Sequence, residues 1–386
     1  MRPPTDDGGQ RKTIVFCGNS LWGLVTFRGR VIEALARDGH RVVLIAHPDI
    51  PAEKVAPLGA EFVEWQLAPR GINPLREAGA VLSLWRTYRR LKPDLAFHFT
   101  IKPVVYGALV AMLARVRFIS IVTGLGYLFL AENWRLRMAK ALYRFTLRKS
   151  HEAWFLNADD REFFASHGLT AGVAVRTLPG EGVDLDRFAR VPLPDSTGPF
   201  VFLMIARLVK DKGVLEFGEA AARVKASDPR ATFRLLGPSY RANDMSVSPS
   251  LISEWTSMGR VEYLGERDDV RPVIAEAHCV VLPSYREGMP RVLMEAAAMG
   301  RPAIATDVAG CRDVVLDGQT GILCRPRSAD ALAEACLRML RLAHGDLESM
   351  ADRAYESAVE RFDDRNVIVI YRDVVGRLCG RSGSSS

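Results

Sequence analysis

The sequence predicts two α/β domains, each built on a parallel β-sheet that helices cover on both faces. From Lys12 onward, short β-branched runs alternate with longer amphipathic segments, which is typical of βαβ units. A second series of the same kind begins at residues 199–205, PFVFLMI. The chain has 386 residues, which is too long for one ordinary domain and suits two.

The strands of both series are recognised by their apolar character. Runs such as TIVFC and RVVLIA are almost wholly apolar, as expected for parallel strands that are buried on both faces. The first series contains TIVFC, RVVLIA, AEFVEW and DLAFHF, and the second contains PFVFLMI, ATFRLLG, VEYLGE, HCVVLPS, PAIAT and TGILC. Gly39 fits the position just after the end of the first helix.

The domain boundaries follow from a segment with little periodicity. Residues 179–199 are rich in Pro, Gly and Asp, so we interpret them as the interdomain linker, with a cleft opening beside it. We therefore expect an N-terminal domain at 12–185 and a C-terminal domain at 195–364. No strand-like run follows residue 328, and we expect the last helix, at 365–380, to pack back on the N-terminal domain.

The composition is that of a soluble globular protein, with 48% hydrophobic and 25% charged residues. Six cysteines are scattered without a CxxC pair, which favours reduced thiols and a cytoplasmic location. The start of the sequence lacks the pattern of a signal peptide. The longest apolar run, 104–114, is too short to span a bilayer, so we expect no membrane-spanning segment.

The net charge of +7 is unevenly distributed along the chain. The basic surplus lies in residues 1–190, whereas residues 191–386 are slightly acidic. Such a surplus suggests an anionic partner, which includes acidic lipid head groups, a diphosphate substrate and nucleic acid. The chain lacks an aromatic and basic single-strand platform or a recognised motif, so we do not expect nucleic acid.

The most informative segment is PSYREGMPRVLMEAAAMGRPAIAT, residues 283–306, which follows the apolar run HCVVL. Pro290 suits the start of a helix, which places Glu287 in the preceding loop and Glu295 about one and a half turns into the helix. Backbone N–H groups at a helix start form an anion site suited to a diphosphate. The residues that we expect to supply this site are Gly288, Met289, Arg291 and Val292.

Glu287 and Glu295 also have an ordinary interpretation, as a solvated loop acid and a helix-surface acid. However, the Glu-Gly-x-Pro run and the second Glu eight residues after the first resemble the E-x7-E motif of retaining group 1 (family 4) glycosyltransferases. That resemblance implies the GT-B fold, with two facing Rossmann-like domains, of which the N-terminal one binds the acceptor and the C-terminal one binds the nucleotide sugar. It also implies that Glu287 holds hydroxyls of the donor sugar and that Glu295 accepts hydrogen bonds from the ribose.

Two cations follow the first strand of the C-terminal domain in MIARLVKDKG, residues 204–213. Arg207 and Lys212 can neutralise a diphosphate as it becomes a leaving group, although ordinary surface cations in a turn would look the same. The same family has an Arg followed five residues later by Lys-Gly at this place, where it binds the pyrophosphate. Gly237 and Gly265 end later strands, and the resemblance implies that they face the nucleotide and its base.

The N-terminal domain offers two candidates. Gly18, after the first strand, is expected to permit a tight turn beneath the sugar diphosphate. The spacing of Gly18 and Gly23 is not the dinucleotide fingerprint GxGxxG, which speaks against a nicotinamide enzyme. His98 lies near the end of DLAFHF and is predicted to point to the ligand side of the sheet, with a structural histidine as the alternative. The segment around His98 and the loop 122–127 together resemble the corresponding parts of enzymes that extend sugars on undecaprenyl diphosphate.

Residues 134–150, WRLRMAKALYRFTLRKS, carry six cations and no acid among apolar partners. A basic amphipathic helix of this kind commonly lies on an anionic membrane, although a solvated basic face has the same pattern. We therefore predict a cytoplasmic protein that is peripheral on the inner face of the plasma membrane.

By this resemblance, the protein is a metal-independent hexosyl- or N-acetylhexosaminyltransferase that retains anomeric configuration. Its donor is a nucleotide sugar, most simply a UDP-sugar, its acceptor is a lipid-linked sugar, and no other cofactor is required. An Asp-x-Asp sequence occurs only at 184–186, in the expected linker. Two alternatives stay open: a nucleotide-sugar epimerase of the same fold, and a catalytically silent sugar-nucleotide-binding module at a membrane.

Overall fold

A computed structural model describes residues 11–67, 74–124, 134–195, 197–239 and 245–380. The chain divides into two compact units. The first unit contains residues 1–181 and 364–386, and the second contains residues 182–363. Each unit is built around one parallel sheet, as the alternating pattern of the sequence predicts.

The first unit has a seven-stranded parallel sheet. Its strands are β1 (Thr13–Cys17), β2 (Arg41–Ala46), β3 (Glu61–Glu64), β4 (Leu95–Phe99), β5 (Arg117–Val122), β6 (Glu152–Phe155) and β7 (Ala174–Thr177). They lie in the order β3-β2-β1-β4-β5-β6-β7, so β1 and β4 are central neighbours. The flanking helices are α1 (Leu21–Arg37), α2 (Pro74–Leu91), α3 (Ala108–Ala114), α4 (Trp134–Leu147) and α5 (Ala158–Ser166).

The final helix, α13 (Asp364–Cys379), belongs to the first unit. Its Tyr371 is fully buried against Phe16 of β1, Phe97 of β4 and Trp154 of β6, with ring centroids 4.9–6.0 Å apart. The helix therefore completes the core on one face of this sheet. Gly39 follows the C-cap of α1 with a φ of 86°, which agrees with its predicted place.

The second unit has a six-stranded parallel sheet. Its strands are β8 (Phe200–Ile205), β9 (Ala231–Leu236), β10 (Glu262–Tyr263), β11 (Cys279–Leu282), β12 (Ala303–Thr306) and β13 (Gly321–Cys324), in the order β10-β9-β8-β11-β12-β13. The helices are α6 (Val214–Ser227), α7 (Pro249–Ser257), α8 (Arg271–Ala275), α9 (Arg291–Ala298), α10 (Cys311–Val314), α11 (Ala329–Leu340) and α12 (His344–Arg361).

Most of the segment predicted as the linker, 179–199, belongs to the second unit. The chain passes from one unit to the other between Glu181 and Gly182. Val183 and Phe188 then join the core beneath α9, and the Val183 N–H donates to the Phe362 carbonyl at 2.7 Å. A segment rich in Pro and Asp therefore resembles a linker in sequence although it contributes two buried apolar side chains.

Three strands of the first unit lie outside the runs that the sequence analysis identified, namely β5, β6 and β7. The six cysteines are all buried and free. Within the described residues, no helix is long and apolar enough to cross a bilayer.

Candidate functional site

The carboxyl edge of the six-stranded sheet gathers most of the residues predicted to bind a donor. Arg207 and Lys212 follow β8, and Glu287 follows β11, which is the hydrogen-bonded neighbour of β8. Since both strands are parallel, their following loops emerge at the same edge. Residues that are 75 positions apart in the sequence therefore meet in one cluster.

Lys212 and Glu287 form an ion pair in this cluster. The Lys212 ammonium donates to Oε1 of Glu287, and the side chains are 18% and 12% exposed. The Ser284 hydroxyl donates to the same carboxylate oxygen from 2.7 Å. Glu287 is thus held by two donors, one of them charged, and Lys212 and Glu287 neutralise each other's charge.

Gly213 explains how the loop after β8 approaches β11 so closely. Its φ of 74° lies in the left-handed region, and a Cβ there would lie 2.1 Å from the Pro283 carbonyl oxygen. Any larger residue would push Lys212 and Glu287 apart. Arg207 lies earlier in the same loop and is exposed.

Helix α9 begins just after the Glu287 loop, with Pro290 as its N-cap. The first backbone N–H groups to donate within the helix are those of Leu293 and Met294, both to the Pro290 carbonyl. The N–H groups of Arg291 and Val292 precede them, at the positive end of the helix dipole. This places the predicted anion-binding backbone of Gly288, Met289, Arg291 and Val292 beside the Lys212 and Glu287 pair.

Glu295 lies in the interior of α9 and pairs with Arg291, one turn earlier. The Arg291 Nε donates to Oε1 of Glu295 at 2.7 Å, and Glu295 is 9% exposed. Burial raises the pKa of the Glu295 carboxyl above its ordinary value, and the Arg291 guanidinium only partly offsets this. The Glu295 carboxylate can therefore still accept a hydrogen bond, although it ionises less readily than a carboxyl group in water.

Gly237 and Gly265 lie next to each other at the ends of β9 and β10. The Gly237 N–H donates to the Gly265 carbonyl at 2.8 Å. Gly237 has a φ of 144°, and a Cβ there would overlap the Ala206 carbonyl oxygen at 1.9 Å, so the position excludes a side chain. The structure thus brings the two predicted glycines together at the same sheet edge as the charged cluster.

Several supporting residues were missed by the sequence reasoning. Tyr285 links three segments, because its N–H donates to the Asp211 carbonyl at 2.8 Å and its hydroxyl donates to Glu216 at 2.7 Å. The Thr306 hydroxyl donates to the Ser284 carbonyl. Ser284 and Tyr285 lie just before Glu287 in the sequence. Their place beside the E-x7-E motif was the feature from which their supporting role could have been predicted.

Arg301 anchors the far end of α9. It is 1% exposed and donates to the carbonyls of Met299 and Gly300 at the end of that helix. The same guanidinium donates to four further carbonyls, those of Val191, Pro192, Ile274 and Ala275. It therefore fixes the helix that carries Glu295 against the segment that enters the second unit.

The prediction that His98 points to the ligand side is wrong. Its side chain is fully buried, and its Nε2 lies 2.9 Å from the hydroxyl of Tyr88 on α2. The ring packs on Phe118, and burial lowers the pKa of its imidazole to about 3. Side chains of a strand alternate between the two faces of a sheet. The side chain of His98 lies on the face that α2 covers, so His98 belongs to the core.

Gly18 is buried at the end of β1, where its N–H donates to the Ile45 carbonyl at 3.0 Å. A Cβ there would lie 2.9 Å from the Leu24 side chain, so the position requires a small residue for packing. Residues 125–127 of the loop 122–127 lie outside the described residues. Asp184, of the Asp-x-Asp sequence, accepts from the backbone N–H groups of Asp186 and Arg187.

Helix α4 presents apolar and basic side chains together. Met138, Leu142 and Phe145 are 41%, 38% and 52% exposed and lie three to four residues apart, on one face. The exposed cations of the same segment are Arg137, Arg144, Arg148 and Lys149. Lys140 lies over the Phe163 ring at 5.3 Å. The side chains of Trp134 and Arg135 lie outside the described residues.

Two known families match adjoining parts of the chain. Residues 23–180 match the glycosyl transferase 4-like domain, and residues 199–342 match the glycosyl transferases group 1. Together the two matches span most of both units. The second contains Arg207, Lys212, Glu287 and Glu295.

Similar proteins include two bacterial transferases. The chain is 26% identical over 372 residues to a Campylobacter jejuni N,N'-diacetylbacillosaminyl-diphospho-undecaprenol alpha-1,3-N-acetylgalactosaminyltransferase, which covers 92% of this chain and 96% of the relative. It is 25% identical over 285 residues to an Escherichia coli UDP-Gal:alpha-D-GlcNAc-diphosphoundecaprenol alpha-1,3-galactosyltransferase, which covers 70% and 72%.

Solved structures with the same fold extend over the whole chain. Anabaena HepE in complex with UDP and glucose has a TM-score of 0.78 at 19% identity, and the match covers 95% of this chain and 100% of that one. Sucrose-phosphate synthase from Thermosynechococcus elongatus has a TM-score of 0.79 at 18% identity, with 96% and 99% covered. From the family matches and these folds, the chain belongs to the group 1, family 4-like glycosyltransferases and has the GT-B fold.

Proposed function

We propose that the protein transfers a sugar, with retention of anomeric configuration, from a UDP-sugar to a sugar carried on undecaprenyl diphosphate. The observation that carries this proposal is the cluster at the carboxyl edge of the six-stranded sheet. There, Lys212 pairs with Glu287 just before the start of α9, and Glu295 pairs with Arg291 inside that helix. The transferred sugar is a hexose or an N-acetylhexosamine.

The second unit would hold the donor by its diphosphate. Arg207, Lys212 and the backbone N–H groups at the start of α9 supply positive charge where negative charge develops as the sugar leaves. Lys212 is already paired with Glu287, so the arriving diphosphate takes over the ammonium as its partner. Glu287 then has its oxygens available for hydroxyls of the donor sugar.

Glu295 is proposed to hold the ribose of the nucleotide. It lies one turn inside α9 and keeps the Arg291 pair on Oε1. Gly237 and Gly265 leave the ends of β9 and β10 without side chains, which allows a flat base to approach the backbone. UDP is bound in HepE, a protein of the same fold, which supports a uridine nucleotide here.

Retention is proposed to arise from a displacement on the same face of the donor sugar. The bond from the anomeric carbon to the phosphate oxygen breaks, and the acceptor oxygen bonds to that carbon through an oxocarbenium-like state. The leaving phosphate oxygen takes the acceptor proton, so no side chain is needed as an obligatory base. Protein cations neutralise the diphosphate, and we propose that the reaction requires no metal ion.

The acceptor is inferred from two relatives and one surface. Both relatives have diphospho-undecaprenol sugars in their names, which supports a lipid-linked acceptor here. Helix α4 exposes Met138, Leu142 and Phe145 among cations, a combination suited to the head-group region of an anionic membrane. We therefore propose that the protein works as a peripheral protein on the cytoplasmic face of the plasma membrane.

The proposal is tested in two stages with the full chain. First, UDP-, GDP-, dTDP- and ADP-sugars are compared for their effect on the melting temperature, because a ligand that binds only the folded state raises it. Second, the stabilising donor is mixed with an N-acetylhexosamine linked to a short polyprenyl diphosphate, and the anomeric configuration of the product is determined by NMR. Donor conversion that needs no acceptor would instead support an epimerase, and an inverted product would overturn retention.

A further inference from the structure

The carboxyl end of β4, in the first unit, departs from regular backbone geometry. Thr100 has a φ of 70°, which is a strained conformation for a β-branched residue. The chain then forms one π-helical turn, Pro103–Gly107, before α3. Strain and π-turns of this kind are frequent at functional sites. Both occur on the central strand of the sheet, next to the end of β1.

A buried polar group lies beside this turn. Lys102, just after Thr100, pairs with Glu77 of α2, with its Nζ 2.7 Å from Oε1 and both side chains less than a fifth exposed. The Tyr106 side chain, within the π-turn, lies by the same carboxylate. Burial first, and then the interaction with Glu77, raises the pKa of the Tyr106 phenol, so the hydroxyl stays a neutral donor.

The second oxygen of this carboxylate lacks a partner. Glu77 is 8% exposed, and its Oε2 is buried without a hydrogen bond within the described part of the chain. A buried carboxylate oxygen that accepts no hydrogen bond is costly, so a donor from a ligand or from an ordered water is expected beside it. Since Lys102 already neutralises the charge, the missing donor is a neutral group rather than a cation.

Two more buried polar atoms without partners lie at neighbouring strand ends. They are Oδ1 of Asn19, which follows β1, and Nδ1 of His47, which follows β2. The strands β2, β1 and β4 are adjacent and parallel, so all three atoms belong to the same edge of the sheet. Two acceptor oxygens and an imidazole nitrogen at one edge fit a ligand with several hydroxyl groups.

In the unit that the resemblance implies to bind the acceptor, we propose that Oε2 of Glu77 accepts a hydrogen bond from a hydroxyl group of the acceptor sugar. The inference rests on the proposed transferase function and adds the acceptor side of the site. Lys102 and Tyr106 orient the carboxylate, and the strained Thr100 places Lys102 at the end of β4. The donor is bound by the second unit and does not depend on Glu77.

The test compares Glu77→Gln and Glu77→Asp with the wild type in the full chain. Glu77→Gln replaces the carboxylate with a neutral amide. Glu77→Asp keeps a negative charge beside Lys102, but its shorter side chain moves the carboxylate oxygens away from the proposed sugar hydroxyl. Glu61→Gln is the matched control, because Glu61 pairs with Arg41 at the opposite, amino end of the strands. The measurements are the KM for the N-acetylhexosamine linked to a short polyprenyl diphosphate, the KM for the UDP-sugar, and the melting temperature with and without UDP-sugar.

Both Glu77 variants are expected to raise the acceptor KM roughly ten- to a hundredfold, the loss typical of one hydrogen bond to a charged group. The donor KM and the melting shift caused by the UDP-sugar should stay as in the wild type, and Glu61→Gln should behave normally. An unchanged acceptor KM in a folded Glu77 variant overturns the inference and leaves the transferase function intact. A wild type that transfers no sugar to this acceptor overturns the proposed function, and this inference with it.

Discussion

The Lys212 ammonium and the Glu287 carboxylate are joined in an ion pair across the ends of two neighbouring strands, with Ser284 donating to the same oxygen. Each charge is therefore compensated by the other. We expect the diphosphate of a bound donor to take Lys212 from Glu287 and so to free the carboxylate for sugar hydroxyls.

Replacing either cation of this cluster should slow transfer. We expect Lys212→Ala and Arg207→Ala each to lower turnover at least about tenfold, equivalent to about 1.4 kcal/mol of lost transition-state stabilisation. Lys210→Ala, at an exposed lysine of the same loop, is the matched control. Steady-state kinetics at saturating donor measure the effect, and equal rates for Lys212→Ala and Lys210→Ala would remove Lys212 from the site.

Transfer should continue in an excess of chelator. We expect Arg207, Lys212 and the N–H groups at the start of α9 to neutralise the diphosphate in place of a divalent cation. The measurement is the initial rate before and after chelation, with magnesium or manganese added back. A rate that is lost on chelation and restored by either metal contradicts this prediction.

Donor affinity should fall when the pH is lowered, and the fall should begin above the ordinary pKa of a glutamate. Burial raises the pKa of Glu295, so this carboxylate, which we propose to accept from the ribose, is protonated at a higher pH than an exposed one. The UDP-sugar dissociation constant is measured from pH 8 downward in the wild type and in Glu295→Gln. The variant should bind weakly without this pH dependence, whereas identical profiles would exclude Glu295 as the titrating group.

His98 should contribute to stability and not to turnover. We expect His98→Phe to lower the free energy of unfolding by about 1–3 kcal/mol, because it leaves the buried Tyr88 hydroxyl without its partner. Activity per folded molecule should be preserved. A variant that keeps its melting temperature but loses turnover would restore a direct role for His98 in transfer.

The same histidine should make the protein sensitive to acid. Its pKa is lowered from 6.5 to about 3 in the folded state, so its stabilising effect is complete above pH 6.5 and is lost as the pH falls towards 3. The loss is at most about 1.4 kcal/mol per pH unit. Urea unfolding at pH 7 and at pH 5 should show this loss of unfolding free energy in the wild type and in His344→Gln, an exposed control. The loss should be absent in His98→Phe.

Membrane binding should depend on α4 and on salt. We expect the protein to bind vesicles of anionic lipid at low ionic strength and to dissociate as salt is added, because screening acts within a Debye length. Sedimentation with vesicles compares two fourfold neutralised variants. The first variant should stay in solution; it neutralises Arg137, Lys140, Arg144 and Arg148. The control variant should still sediment; it neutralises Arg230, Arg325, Arg338 and Arg341. Equal sedimentation of both variants would show that α4 is only a solvated face.

The fold and the donor-site residues could be predicted because their signals are local. Runs rich in apolar and β-branched residues identified ten strands, and Pro290 marked the start of α9 within one residue. The spacing of Glu287 and Glu295 needed no knowledge of distant contacts. The strands β6 and β7 were missed because their runs, EAWF and AVRT, are short or polar and their burial depends on neighbouring strands. The run of β5, RFISIV, is mostly apolar, so its sequence carried a signal that was overlooked.

The error over His98 has a specific cause. A position near the end of a strand predicts the correct edge of the sheet, but the face is decided by the alternation of side chains, and every residue of β4 is buried. An all-buried strand gives no polar and apolar alternation from which to read the face. Glu77 was missed for a related reason, since it becomes notable only through Lys102, which is 25 residues away in the sequence.

The place of α13 in the first unit has a consequence for how the protein is made. Tyr371 fills the core between Phe16, Phe97 and Trp154, yet the ribosome adds it after the whole second unit. The second unit is continuous in the chain and can complete its core during synthesis. The first unit, although it emerges earlier, must wait with an uncovered apolar face until the C-terminal helix is released. Nascent chains that stop before residue 364 should therefore depend on chaperones for solubility.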